Sequence, residues 1–244
     1  MTAANHDGGG RSEGRRAPAG FEVGAGARHI RRMLKKHPFI PPMLATAARA
    51  IPAGPEWTCE LKLDGYRVQA HVEGDAVTLF SRNGNDLSRR FRTILSALSS
   101  FPARSAILDC ELVACGEKGR PDFDRLVREG GRCPDLSLWA FDLLMLDGRP
   151  MLKEALGFRR DRLNRLLNAA DEERLQFSPE FADAAKLLAE AEKRGLEGVV
   201  LKKREGIYAS GRSREWLKIK TKAWKEKNAR QRAVLFNRGR GAGN

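Results

Sequence analysis

Apolar and polar residues alternate along much of the chain from residue 57 onward, and such alternation is typical of half-buried β-strands. It predicts strands at 57–63, 66–72, 76–81, 106–114, 136–144, 198–203 and 215–220. Between them, apolar residues three and four positions apart predict amphipathic helices at 88–101, 123–130, 158–170 and 181–195. Several strands follow one another before a helix intervenes, so we predict an α+β domain built on antiparallel sheets rather than a doubly wound parallel sheet.

The two ends of the chain are polar and basic. Residues 1–37 are rich in glycine, alanine and arginine, and they predict a basic, disordered arm. Residues 38–221 predict one domain, and residues 222–244 predict a basic tail with room for one short helix. Of the net charge of +14, the arm carries +5 (eight Lys or Arg against three acids) and the tail +6 (seven against one), which leaves +3 for the domain. This distribution favours a polyanionic partner, most simply a nucleic acid, over a role in solubility alone.

The cysteines and the motifs that the chain lacks narrow its chemistry. The four cysteines form no CxxC pair, which favours reduced thiols in a cytoplasmic protein, and no apolar run approaches the ~20 residues of a membrane span. The common phosphate-loop, dinucleotide-binding, serine-hydrolase and zinc-protease motifs are missing. His71 is expected on a strand surface, so catalysis falls to lysines, arginines and carboxylates.

Four predicted strands carry ionisable side chains that share a face, because successive side chains of a strand point to opposite sides. These residues are Glu60, Lys62 and Asp64 in CELKLDGYR, Asp109 and Glu111 in ILDCELV, and Lys218 and Lys220 in EWLKIK, while Glu197 stands at the start of the fourth strand, in EGVVLKK. Each fragment alone is typical of a solvated strand edge. Four of them together favour a common polar cavity.

One of these fragments matches a known motif. CELKLDGYR resembles the K-x-D-G motif of the covalent nucleotidyltransferases, the superfamily of ATP-dependent DNA ligases, RNA ligases and mRNA capping enzymes. Five further segments resemble the family's other motifs in the family's order: SRNG (81–84), LDCEL (108–112), WAFDLL (139–144), EGVVLKK (197–203) and WLKIK (216–220). Within the superfamily the chain is most similar to DNA ligases, and among these to the ligase module of bacterial end-joining ligase D. The resemblance implies an ATP-grasp-like fold of antiparallel sheets, nicked or broken duplex DNA as partner, and a bacterial cytoplasmic, nucleoid-associated location.

The resemblance also implies a role for each matching residue, with Lys62 as the nucleophile that becomes joined to AMP. The nucleotide contacts are expected from Glu60 at the adenine amino group, Leu61, Lys62, Arg67 and Arg82 at the ribose and the 5′-phosphate of the nick, Glu111 at the ribose, Phe141 stacked on the base, Glu197, Lys218 and Lys220. The implied catalytic set is Lys62, Arg67, Glu111, Lys218 and Lys220. Glu111 and Glu197 are expected to bind Mg²⁺ or Mn²⁺, which prefer oxygen ligands, and Asp64 is expected to support the site.

A nucleophilic lysine needs surroundings that favour the neutral form of its amine. An amine attacks the α-phosphate of ATP only when it is neutral, whereas lysine ordinarily keeps its proton at neutral pH. A partly desolvated site with other cations beside the amine favours the neutral form. Lys218 and Lys220 are the expected neighbours, and they would also offset the charge of the phosphates.

Two departures from the family pattern bear on how complete the enzyme is. LDCEL carries Cys110 where the family usually has glycine, and we predict that Cys110 faces away from the acids and packs in the core. Only 24 residues follow Lys220, too few for the oligonucleotide-binding (OB) barrel that ligases of this family carry there, so the nucleotidyltransferase module alone is expected.

Three interpretations follow from these matches. The first is a minimal ATP-dependent DNA ligase that relies on its basic arms, on end-joining proteins or on a separate clamp domain. The second is a non-catalytic module that binds ATP or DNA ends for a partner. The third is an RNA ligase or a capping-type nucleotidyltransferase.

Overall fold

The computed structural model describes residues 37–116 and 119–229, so the predicted arm, except for His37, and residues 230–244 of the predicted tail lie outside the described residues. The strands are β1 (Met43–Ala47), β2 (Trp57–Lys62), β3 (Tyr66–Glu73), β4 (Ala76–Ser81), β5 (Ser105–Ala114), β6 (Leu136–Leu146), β7 (Arg149–Pro150), β8 (Leu175–Phe177), β9 (Glu180–Phe181), β10 (Gly198–Lys203) and β11 (Gly211–Lys220). The helices are α1 (Arg92–Leu98), α2 (Phe123–Glu129), α3 (Leu156–Ala170), α4 (Ala184–Lys193) and α5, which covers 222–229.

The strands form two sheets. The first sheet has the order β1-β11-β10-β2-β9, and the second sheet has the order β4-β3-β5-β6-β7 with β8 also paired to β6. Within the described residues, the pairs β1–β11 and β6–β8 are parallel and the other neighbours are antiparallel. The predicted α+β class with antiparallel sheets is therefore confirmed.

Three apolar clusters hold the layers together. The largest packs the second sheet against α1, α2 and α3, with Phe91, Leu126 and Leu163 fully buried. Another joins the two sheets, and a third packs Val199 and Leu201 of β10 against leucines of α4. The order of layers is thus helix, first sheet, second sheet, helices, and the polar faces of β2 and β10 turn toward the second sheet.

The strands that the alternation does not predict are either very short or paired with a strand far away in the sequence. β7, β8 and β9 span two or three residues each, too few to show a period. β1 begins directly after two prolines and pairs with β11, far away in the sequence. α1 begins at Arg92, later than predicted, because the N–H groups of Arg90 and Phe91 bond to Leu87 in a turn.

The predicted surface position of His71 is wrong. The side chain is buried, with Nε2 2.8 Å from Oε1 of Gln69 and its ring edge-to-face with Phe80 at 4.9 Å. The segment before β1 covers this face of β3, since the N–H of Ile40 donates to Gln69 Oε1 at 3.0 Å. Cys110 is buried in the largest apolar cluster, which confirms its predicted packing role.

The start of the predicted tail is fixed to the domain. The N–H groups of Lys222 and Ala223 donate to the two carboxylate oxygens of Glu192 in α4, at 2.7 and 2.8 Å. The Trp224 N–H donates to Thr221 Oγ1 at 3.2 Å and continues the cap of α5. None of the described helices is long and apolar enough to cross a bilayer.

Candidate active site

A cavity of about 820 Å³ lies between the two sheets, and every residue to which the family resemblance assigns a role contributes to its wall. These residues are Glu60, Leu61, Lys62, Asp64, Arg67, Arg82, Glu111, Phe141, Glu197, Lys218 and Lys220. The common polar cavity expected from the four strands is therefore present. The role of each residue in it stays a prediction.

The predicted nucleophile lies at the end of β2, opposite Gly198 of β10. Lys62 Nζ is 2.8 Å from Oε2 of Glu197, and Lys220 Nζ is 2.8 Å from Oε1 of the same carboxylate. Gly198 permits this arrangement, because its φ of +148° suits glycine and an added Cβ would lie 2.0 Å from the carbonyl oxygen of Ile219. One carboxylate thus bridges two lysines at this end of the cavity, which we call the phosphate end.

Positive charge is concentrated at the phosphate end. Burial lowers the pKa of Lys218, and the nearby cations Lys62, Lys220 and Arg82 lower it further. Two carboxyl groups lie among these four cations, Glu197 between Lys62 and Lys220 and Asp64 beside the same two lysines. The site therefore holds an excess of cations that an incoming anion would offset.

The other end of the cavity, which we call the base end, is enclosed. Glu60 is buried; its Oε2 accepts a hydrogen bond from Ser178 Oγ at 2.9 Å, and its Oε1 lies 2.9 Å from Arg160 and 2.6 Å from Lys202. Because an ammonium has three N–H donors, Lys202 Nζ retains hydrogen-bonding capacity beyond its ion pair with Glu60. Lys202 Nζ also lies 4.5 Å from the ring centroids of both Phe141 and Trp216.

Arg67 joins the wall through a buried carboxylate. Its guanidinium donates two hydrogen bonds to Asp109, at 2.9 and 2.6 Å, and the Tyr208 hydroxyl donates to the same Asp109 at 2.7 Å. The guanidinium carbon lies 5.3 Å from the Phe141 ring centroid. Asp109 was expected to face the cavity together with Glu111, but its carboxylate is engaged by Arg67 and Tyr208 and is 1 % exposed. It positions Arg67.

Glu111 lies between the two ends. Although part of its surface faces the cavity, it is surrounded by protein, and this burial raises the pKa of Glu111 to about 7. The charges of Lys62 and Arg67 oppose this shift, and the charge of Glu197 adds to it. Glu111 is therefore a carboxyl group that a nearby cation would readily ionise.

The two carboxylates expected to bind a metal fit a shared, substrate-dependent site. Among the described residues, no cluster of three or more His, Cys, Asp or Glu side chains could hold a metal ion alone. Mg²⁺ commonly takes one or two protein carboxylates and completes its shell with water and substrate phosphates. Glu111 and Glu197, both in the wall of the cavity, fit that pattern.

Four contributors to the site were missed by sequence reasoning: Arg160, Lys202, Trp216 and Trp224. The strand alternation places Lys202 on the same face as Val200, and that signal was available in EGVVLKK. Trp224 gave no signal, because it lies in the segment interpreted as tail. Its Nε1 donates to Asp64 Oδ2 at 3.2 Å, and its ring centroid lies 3.6 Å from Lys220 Nζ.

Comparison with known proteins identifies the family that this fold and site define. Residues 42–220 match the family model described as the ATP dependent DNA ligase domain, and the chain belongs to this family. It is 42% identical over 185 residues to the multifunctional non-homologous end joining protein LigD of Pseudomonas aeruginosa, covering 75% of this chain and 22% of that protein. It is 35% identical over 192 residues to a DNA ligase of Natronomonas pharaonis, covering 73% of this chain and 35% of that protein.

Solved structures agree with this assignment. The ligase domain from M. tuberculosis LigD matches with a TM-score of 0.65 and 34% identity, over 73% of this chain and 60% of that one. A mycobacterial DNA ligase D complexed with ATP and MES matches with a TM-score of 0.62 and 35% identity, over 73% of this chain and 59% of that one. The predicted resemblance to ligase D modules is confirmed. The chain spans about a fifth to a third of the length of these two curated relatives.

Proposed function

We propose that this chain forms a lysyl-AMP on Lys62 from ATP and uses it to seal 5′-phosphate/3′-hydroxyl breaks in duplex DNA, in repair or end joining in the bacterial cytoplasm. The observation that carries the proposal is the placement of Lys62 and Glu60 in one cavity, two residues apart on the same face of β2. Two residues of a strand span about 7 Å, which leaves room for a ribose between a base and an α-phosphate.

The base end favours adenine. The Glu60 carboxylate accepts hydrogen bonds, so it suits the 6-amino group of adenine and repels the 6-oxo group of guanine. Lys202 Nζ has unused donor capacity and suits a ring nitrogen, and the exposed face of Phe141 suits stacking on the base. A nucleobase would thus accept a hydrogen bond from a Lys202 donor that Glu60 leaves free.

The phosphate end supports transfer of the nucleotide. Lys62 must release its proton before it attacks, and its side-chain exposure of 22 % gives that proton a route to water. Its Nζ then bonds to the α-phosphorus, and the bond from that phosphorus to the bridging oxygen breaks, so that pyrophosphate leaves with the electron pair. Lys218 and Lys220 offset the phosphate charge, and Mg²⁺, which Glu111 and Glu197 would hold, supplies further neutralisation when bound.

Sealing then consumes the adenylate. An oxygen of the DNA 5′-phosphate attacks the AMP phosphorus, and the phosphorus–nitrogen bond to Lys62 breaks as the amine regains a proton. The neighbouring 3′-hydroxyl attacks the DNA phosphorus, loses its proton and releases AMP. Arg82, which lines the cavity, would bind the 5′-phosphate through its guanidinium.

Incubation with α-labelled ATP or GTP and Mg²⁺ tests the proposal, with Lys62→Ala and Lys62→Arg as the variants and Lys203→Ala as a matched control outside the cavity. We expect label from ATP on the wild type and on the control, and none on the Lys62 variants. Sealing of nicked DNA and of the matching RNA duplex is measured in parallel.

Each alternative predicts a different result. Sealing of a pre-adenylated nick without self-labelling would indicate a partial enzyme that depends on an end-joining partner or a separate clamp domain. Neither labelling nor sealing would indicate a binding module. Label from GTP, or preference for RNA ends, would indicate the RNA-processing class.

A further inference from the structure

We call the cavity between the two sheets the nucleotide cavity. A second depression, of about 400 Å³, lies beside it, and we call this depression the arginine cleft. Its wall consists of Arg89, Arg90, Arg92, Arg128 and Arg132 together with Glu129, Gly130 and Gly131. The residues come from two segments, the turn that leads into α1 and the end of α2 with its following 3-10 turn, Gly130–Arg132. None of these five arginines was predicted to have a role.

The two segments are tied together by contacts that only small residues permit. Arg90 Nη2 donates to the carbonyl oxygen of Val127 at 3.2 Å, and Thr93 Oγ1 donates to that of Gly131 at 3.3 Å. A Cβ on Gly131 would lie 1.9 Å from the carbonyl oxygen of Arg90, so a side chain there would force the segments apart. The glycine pair therefore brings two arginine-rich turns side by side.

Charge in the domain is concentrated at this cleft. Five arginines and one glutamate give its wall a net charge of +4, whereas residues 38–221 as a whole carry +3, which leaves −1 for the rest of the domain. Glu129 is already shared by Arg125 and Arg128, at 3.1 and 3.0 Å, so it does little for the other arginines of the wall. Arg89, Arg92 and Arg132 are exposed.

The arginine cleft is connected to the nucleotide cavity. Arg90 contributes to the wall of both, and its guanidinium lies 5.6 Å from the ring centroid of Tyr66 and 5.3 Å from that of Phe91. This stacking holds Arg90 at the junction. A phosphate chain that enters the cavity at Arg82 can thus continue past Arg90 into the cleft.

We propose that the arginine cleft binds the phosphate backbone of duplex DNA beside the break whose end lies in the nucleotide cavity. The proposal rests on the proposed function for its choice of DNA. Guanidinium groups bind phosphate oxygens in a two-pronged geometry without reading base sequence, and this suits a grip on breaks of any sequence. Each phosphate contact would also make binding depend on salt.

The test compares the triple variant Arg89→Ala/Arg92→Ala/Arg132→Ala with the control triple Arg149→Ala/Arg165→Ala/Arg194→Ala, whose arginines are exposed and lie outside both depressions. Both remove the same charge. The affinity of the full chain for a nicked DNA duplex and for an RNA duplex of the same sequence is measured from 50 to 300 mM salt. Labelling of Lys62 with ATP is measured on the same samples.

We expect the slope of log affinity against log salt to fall by about 0.9 per phosphate contact, or about 2.7 for three, in the cleft variant only. At about 0.1 M salt this corresponds to a loss of up to about 500-fold in DNA affinity. Substitution of the same three arginines by lysine should keep most of the slope, because lysine preserves the charge. ATP labelling should be unchanged in all variants.

Equal losses of DNA affinity in the cleft variant and the control would overturn the inference, because overall charge would then explain binding. No loss of DNA affinity in either variant would overturn it as well, because the cleft would then make no contact with DNA. A loss confined to RNA would overturn it as well. Selective loss of DNA affinity in a chain that shows no labelling would support the cleft while rejecting the proposed catalysis. The experiment can therefore reject DNA binding by the arginine cleft and adenylation of Lys62 independently of each other.

Discussion

The base end and the phosphate end of the nucleotide cavity use the same ingredients, lysine and glutamate, in opposite ways. At the base end, the side chains of Lys202 and Glu60 are 3 % and 4 % exposed. At the phosphate end, Lys62 and Lys220 are 22 % and 30 % exposed around a Glu197 that is 4 % exposed. The two ends begin only two residues apart on β2.

Under the proposed function, β2 would contribute both to base recognition, through Glu60, and to the reaction, through Lys62. The base end balances its charges, since Arg160 and Lys202 face Glu60 and Glu180, and burial then fixes their positions. The phosphate end keeps an excess of lysines in contact with solvent. A balanced, dry pair can select a base, whereas an unbalanced, wet cluster can receive phosphates and exchange a proton.

The largest expected effect comes from breaking the balance at the base end with Arg160→Met. The buried carboxylate Glu60 and the partly buried carboxylate Glu180 would lose a shared cation, and we expect the free energy of unfolding to fall by about 3–5 kcal/mol. Arg194→Met, which removes an exposed pair with Glu190, is the control and should leave the free energy of unfolding nearly unchanged, because exposed ion pairs contribute little. Chemical denaturation measures both, and similar small losses would show that the base end is no more tightly fixed than the surface.

Glu111 lies between the two ends of the cavity, and Glu111→Gln should change how the free energy of unfolding depends on pH. Because burial raises the pKa of Glu111 from 4.5 to about 7, the unfolded chain releases this proton at lower pH than the folded chain. Ionisation therefore favours unfolding as pH rises from about 4.5 to 7. Relative to the wild type, the variant should gain stability across that window, with no difference below it and a constant difference above it. Denaturation at a series of pH values checks this, and a difference that shrinks with rising pH would contradict it.

Lys218→Ala tests whether the phosphate end works by charge alone. We expect single-turnover formation of the adenylate to slow about 100-fold, because one cation that offsets the phosphates is lost. The free energy of unfolding should change by only about 0.5 kcal/mol or less, since removal of Lys218 relieves repulsion from Lys62 and Lys220. A large loss of stability with unchanged adenylation would reverse the roles assigned to the two ends.

Trp224→Phe should have the smallest effect. The ring next to Lys220 is kept, and the hydrogen bond to Asp64 is lost, at a cost of about 1 kcal/mol. Because burial raises the pKa of Asp64 and the indole N–H opposes that shift, the variant should titrate this carboxyl at higher pH. The pH profile of adenylate formation measures the shift, and Trp224→Ala, which also removes the ring, should slow the reaction further.

Much of the fold and of the cavity wall can be predicted from the alternation of apolar and polar residues along the strands. The alternation in β2 and β11 places Glu60 with Lys62, and Lys218 with Lys220, on faces that the packing of two sheets turns inward. Local sequence carries this information, because strand geometry alone decides which side chains share a face.

The missed features depend on tertiary contacts. From sequence alone, Lys202 is expected to be solvated, because it lies near the end of its strand. The packing of Phe141 and Trp216 around it makes it a buried cation. His71 is buried because residues 37–42 cross its strand. Trp224 reaches the cavity because Glu192 caps α5.

The pairing of β1 with β11 also sets when the cavity can be completed during synthesis of the chain. The Met43 N–H donates to the Tyr208 hydroxyl across 165 positions of the chain, and Thr46 Oγ1 donates to Ser213 across 167. At ribosomal speeds of about 5–20 residues per second, the earlier strand waits roughly ten to thirty seconds for its neighbour. A nascent polypeptide released before that moment lacks Trp216, Lys218, Lys220 and Trp224, so its cavity is missing part of the wall.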